Sequence, residues 1–196
     1  MTKKIRLEVA IKRETAKMAW PGHMHPILKK GTKSDGEIFF ADKVNLACLL
    51  KKNIKQTGLD DWHSATVNCL ADRLTKHINP RRESPPYSAQ AVAAKLVNVF
   101  LHQLIKYKPF AHLYPYLHLP LDSQVWPEIK KAITSERRCQ LKTILEKNPY
   151  TLSYDDEYIK IQKILWEVLD SLFTNDVLLQ YGRSRILLNS TLWAGE

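Results

Sequence analysis

The 196-residue chain is predicted to be mainly α-helical, a single-domain bundle around one buried central helix with a minor N-terminal β-strand or two-stranded ribbon. Three observations lead there. Between Ala91 and Ile105 the chain is apolar around most of a helical circumference, as a helix enclosed by others must be. From residue 43 onward, apolar side chains recur at helical spacings between capping residues and Gly or Pro stops. At the N-terminus alone, Ile5, Leu7, Val9 and Ile11 alternate with Arg6, Glu8 and Lys12, the period of a strand.

Residues 1–41 are thus expected to form a strand-and-loop appendage, and 42–196 the helical core. Glu37-Ile38-Phe39-Phe40 is the candidate partner strand, across a loop rich in Gly, Pro and Ser. His23 and His25 in that loop lack a nearby third ligand, so neither a metal site nor a cofactor is expected. Asp42 suits the N-cap of a helix over 43–56, with Leu46, Leu49, Leu50 and Ile54 inward and Thr57-Gly58 as its stop. Asp60 or Asp61 then caps a helix over 62–78 that turns Trp62, Ala65, Cys69, Leu70, Leu74 and Ile78 inward until Pro80 breaks it.

The central helix runs over Ser88–Lys108 and should bury Val92, Leu96, Val99, Phe100 and Leu104. Its polar residues Lys95, Asn98, His102 and Lys106 fall on one narrow stripe, which must reach water or a site. A helical pattern covers 128–147, with Thr134-Ser135 as a candidate split, and Ser153 with Asp155 and Asp156 opens another over 154–173. The apolar tail to Trp193 suits one or two short helices. The odd cysteine count, Cys48, Cys69 and Cys139, reads as reduced core or near-core residues. No apolar run approaches the roughly 18 residues of a membrane span, and the charged N-terminus is unlike a signal peptide, so a cytoplasmic location is expected.

Leu119-Pro120-Leu121-Asp122-Ser123-Gln124-Val125-Trp126, with the helix before it, resembles the helix-hairpin-helix DNA glycosylases. In that family an Asp lies in an apolar-Pro-apolar-Asp-x-x-apolar segment; Pro85-Pro86-Tyr87-Ser88-Ala89-Gln90 stands where the family has a Gly-x-Gly turn. The resemblance implies base excision or a catalytically altered relative, with Asp122 as catalytic carboxylate and Lys95 as candidate nucleophile. A carboxylate at the sugar face offsets the positive charge that builds as the base leaves, and can deprotonate an attacking water or amine. An extruded base needs aromatic or apolar walls, for which Tyr114, Tyr116 and Trp126 are candidates, with Tyr107 and Phe110 beside them. Plainer readings stand alongside: Asp122 as a helix cap, Lys95 as the wet edge of its helix, and the aromatics as packing.

Charge points the same way. Residues 1–150 carry 26 Lys/Arg against 13 Asp/Glu, and the remainder 4 against 7, within a formal total of +10. A basic surface attracts polyanions, DNA among them. Arg81 and Arg82 in the Pro-stiffened loop, Ser88 at the helix N-terminus, and Lys130, Lys131, Arg137, Arg138 and Lys142 are the candidate phosphate contacts. The alternative is a non-enzymatic basic all-α module that binds nucleic acid or a protein partner.

Overall fold

The computed structural model describes residues 3–19, 27–79, 86–123, 125–133 and 135–172. His23 and His25, and the short helices expected in the tail to Trp193, lie outside the described residues. At the centre is α4 (Ala89–Leu104), whose residues Ala91 to Asn98 are all buried, as are Phe100, Leu101 and Leu104. Eight consecutive buried residues span more than two turns, so this part of the helix is covered from every side. Val99 is half-buried, and the other four residues expected in the core are there. Ser88 starts the helix by accepting a hydrogen bond from the Ala91 amide at 3.2 Å.

α1 (Lys3–Met18) and α3 (Gln56–Leu74) pack on α4 from the N-terminal half, and the 3₁₀ turn Pro149–Thr151 and π-helical turn Tyr154–Tyr158 from the C-terminal half. The rest of the chain is α2 (Thr32–Ile38), α5 (Trp126–Ala132), α6 (Ser135–Leu145) and α7 (Ile159–Leu172). A 3₁₀ segment, Lys108–Tyr116, leads from α4 toward Asp122. α5 ends at Ala132, with Ile133 extended, and α6 begins at Ser135, so the pattern over 128–147 is split beside the expected position.

The N-terminal strand is not formed; the segment is α1. Its later half explains why: Ile11, Thr15, Ala16 and Ala19 are buried at helical spacing, and the Thr15 hydroxyl bonds the Ile11 carbonyl at 2.8 Å. Four alternating residues lost to a helical pattern that continues beyond them. The expected partner strand is helical too: adjacent Phe39 and Phe40 are both buried, which a ribbon strand with one solvated face would not allow. Phe40 stacks on Phe100 of α4 at 4.6 Å. α2 enters through Gly31 at φ +93°, a left-handed conformation that costs glycine little. Among the described residues the only β pairing is an isolated bridge, Leu28 with Ile78.

The helix expected over 43–56 is replaced by turns. Val44 is extended, and the Asn45 side chain accepts from the Ala47 amide at 2.9 Å, a local bond that competes with helix formation. The helix expected from 62 begins instead at Gln56. It buries Leu59, His63, Val67, Leu70, Ala71 and Leu74, leaves Ala65 and Cys69 exposed and Trp62 and Ile78 half-buried. Cys139 is also exposed and Cys48 half-buried, so two of the three cysteines are outside the core. Among the described residues no helix is long and apolar enough to cross a membrane, and no group of three His, Cys, Asp or Glu is placed to hold a metal.

Candidate functional site

Lys95 and Asp122 meet. The Lys95 Nζ donates to Asp122 Oδ2 at 3.1 Å and to the Tyr150 hydroxyl at 2.8 Å, with the two residues 2% and 5% exposed. Three features hold the geometry. α4 projects Lys95 from its buried face. Gln162 of α7 clamps the approach to Asp122, accepting from the Leu119 amide at 3.0 Å and donating to the Leu119 carbonyl at 2.7 Å. Asp122 Oδ1 then accepts from the Val125 amide at 2.9 Å, so the carboxylate both caps its own turn and faces the amine.

Burial pushes the Lys95 amine below its usual 10.5, and Asp122 opposes the shift. The Tyr150 hydroxyl is raised by burial and then by Asp122 and Tyr87. An amine with lowered pKa beside a carboxylate has the composition a Schiff-base site needs. Here, however, the pair is closed by Tyr150 and the Val125 amide, and it lines neither cavity described below.

The polar stripe of α4 therefore runs inward rather than along a wet edge. Lys106 is exposed and lies beyond α4, which stops at Leu104 and not at the expected Lys108; His102 is half-buried with its pKa lowered to about 4 by burial, and Asn98 is fully enclosed. Asn98 belongs to a second buried network that sequence patterning missed. His63 Nε2 lies 2.8 Å from Asn98 Oδ1 and its Nδ1 2.6 Å from the Tyr154 hydroxyl. Asn98 Nδ2 donates to the Tyr158 hydroxyl at 2.6 Å, which is 3.3 Å from His118 Nδ1; His118 Nε2 is 3.0 Å from Asp60 Oδ1. With the tautomers that satisfy every contact, each donor points along one direction, from Tyr154 through His63, Asn98, Tyr158 and His118 to Asp60. The signal for His63 was present: it occupies a slot in the apolar series Leu59, Val67, Leu70 and Leu74.

The basic residues after Pro127 do converge. Lys130, Lys131, Arg138 and Lys142 line one cavity of about 380 Å³ with Leu145 and Glu146. Arg138 fixes its shape by donating to the Ile133 carbonyl at 2.9 Å and the Lys131 carbonyl at 3.1 Å, covering the C-terminal end of α5. Lys130 lies over the Trp126 ring at 5.9 Å and Lys131 pairs with Glu128 at 2.7 Å. Arg137 is turned elsewhere, to an ion pair with Glu167 of α7.

The remaining candidates separate. Arg81 and Arg82 lie outside the described residues. Ser88 is occupied as a cap, and its amide donates to the Tyr150 carbonyl at 2.7 Å. The three aromatic residues expected to wall one pocket are not brought together in either of the two cavities described here. Trp126 is buried with its indole N–H on the Lys147 carbonyl, Tyr114 is half-buried, and Tyr116 lines a second cavity of about 350 Å³ with Gln56, Asp60, Lys163, Trp166 and Glu167. No protein-family model matches this chain, and no curated protein or solved structure shows significant similarity to it.

Proposed function

We propose that this chain is a basic all-α module that binds nucleic acid by its phosphate backbone, with the cleft between α5 and α6 as the contact surface. The observation that carries this is the convergence of Lys130, Lys131, Arg138 and Lys142 on one cavity, in a chain with a formal charge of +10. Four cations against the single lining carboxylate of Glu146 favour an anion, and fixing Arg138 on the α5 carbonyls reduces the ordering cost of binding one. Phosphate contact supplies affinity without reading sequence, so weak dependence on base composition is expected.

The test is fluorescence anisotropy with random-sequence duplex and single-stranded DNA over a range of salt. Binding should weaken steeply as salt rises. Replacing Lys130, Lys131 and Lys142 with Ala should lower the slope of log affinity against log salt by about 0.9 for each duplex phosphate that the variant no longer neutralises. Absence of binding at low salt, or binding unchanged in that variant, would overturn the reading and favour a protein partner.

One observation favours a second reading, the base-excision chemistry that the resemblance to helix-hairpin-helix glycosylases implies. Lys95 and Asp122 are 27 residues apart in sequence yet in direct contact. For this pair to act, a sugar would have to replace the Tyr150 contact. Borohydride trapping on duplexes bearing an abasic site, with an assay of base release, separates the two readings: an adduct that Lys95→Gln cannot form, or base release that Asp122→Asn abolishes, supports excision, and neither leaves the binding module.

A further inference from the structure

The cavity bounded by α3, Tyr116 and α7 lies outside the basic cleft, and its chemistry differs. We propose that it binds a planar nitrogen heterocycle of the nucleobase class, stacked on Trp166 and Tyr116, with an N–H edge donating to the Asp60 carboxylate. The proposal deepens the nucleic-acid reading and rests on it for the source of the base. Its volume of about 350 Å³ falls in the range of roughly 300–1,000 Å³ for small-molecule sites.

Two half-buried aromatic side chains supply apolar walls, and a base offers a π-face to such walls whatever its identity. The carboxylate is held in advance. Gln56 Nε2 donates to Asp60 Oδ1 at 2.6 Å, and His118 Nε2 approaches the same oxygen at 3.0 Å. His118 is 3% exposed and is the last link of the chain that begins at Tyr154, where every donor is directed toward Asp60. These bonds fix the orientation of the carboxylate, and an ionised carboxyl group offers about four acceptor positions in all. Ring or exocyclic N–H groups of a ligand would donate to it.

Charge balance selects a neutral heterocycle over an organic cation. Of the two carboxylates in the lining, Glu167 is paired with Arg137, and Lys163 adds a positive charge against Asp60. Arg137 also gives the cavity a place in the molecule. It ties α6 to α7 through Glu167, a residue of this cavity's lining, and its neighbour Arg138 lines the basic cleft.

The experiment is calorimetric titration of the whole chain with adenosine, guanosine, cytidine and uridine, which carry no phosphate, and with benzylammonium as the cationic control. Saturable binding of at least one nucleoside is expected, weakened at least tenfold by Trp166→Leu and by Asp60→Asn. The second substitution preserves shape, and circular dichroism checks that both variants fold. Failure of every nucleoside to saturate, equal binding in Asp60→Asn, or a preference for benzylammonium would overturn the proposal. Oligonucleotide binding without nucleoside binding would sink this inference and leave the nucleic-acid reading intact. Nucleoside binding without oligonucleotide binding would do the reverse.

Discussion

Lys95 and Lys131 each face a carboxylate, at 3.1 and 2.7 Å, in surroundings that differ completely. The first pair is enclosed, with side chains 2% and 7% exposed, whereas in the second the lysine is 72% exposed and its partner precedes it by three residues on the same helix. An exposed pair adds little to stability, since water screens it and two long side chains must be ordered to make it. A buried pair contributes little net energy over a well-packed apolar alternative, but removing one member strands the other in a medium that cannot solvate it. The shorter contact is therefore the weaker constraint on the fold. Its lysine remains available to a ligand, and the lysine of α4 does not.

The largest effect expected from breaking this contrast is at Asp122. Asp122→Asn keeps the shape and an acceptor for the Val125 amide while removing the carboxylate charge that faces Lys95, and should cost about 3–5 kcal/mol in urea unfolding. Adding Lys95→Met should recover part of that loss, because the stranded charge goes with it; a double variant less stable than Asp122→Asn would contradict the account. The pH dependence has a definite sign. Burial lowers the Lys95 pKa below 10.5, so between the lowered value and 10.5 the unfolded chain binds more protons than the folded one. This group's contribution to stability thus grows as pH rises through that window, and Lys95→Met should flatten the rise.

A smaller loss is expected in the neighbouring network. His63→Leu removes one hydrogen-bond partner each from Asn98 Oδ1 and the Tyr154 hydroxyl in an enclosed site and should cost about 1–3 kcal/mol, measured by the same denaturation. In the basic cleft the expectation reverses. Lys130→Ala with Lys131→Ala should leave the unfolding midpoint close to wild type while lowering DNA affinity and the salt slope together. Unchanged affinity with altered stability would mean that the cleft is structural and the contrast is wrong. The smallest effect concerns the cysteines: thiol reagents should modify exposed Cys69 and Cys139 in the native protein with little change in its circular dichroism, and half-buried Cys48 more slowly.

Local and periodic information carried much of the architecture. An apolar run too broad for a surface helix marked α4 as the centre, Ser88 was legible as its cap, and the split of the 128–147 pattern into two helices was legible as well. These features depend on neighbours within a few turns, so composition and spacing suffice to determine them. The basic residues of α5 and α6 were legible as a group for the same reason. Their closure into one cavity was not, since it depends on Arg138 reaching back to the carbonyls of Lys131 and Ile133.

Tertiary structure decided what local pattern left ambiguous. Alternation from Ile5 to Ile11 suits a strand or the start of a helix, and the buried positions from Ile11 to Ala19 decide for the helix. Lys95 and Asn98 read equally well as a wet edge or a site until Asp122, Tyr150, His63 and Tyr158, some 27 to 60 residues away along the chain, supply their partners. A polar side chain carries no sign in the sequence of whether water or another residue will satisfy it. Only packing decides that, because burial is tolerable where a distant group completes the hydrogen bonds and costly where none does.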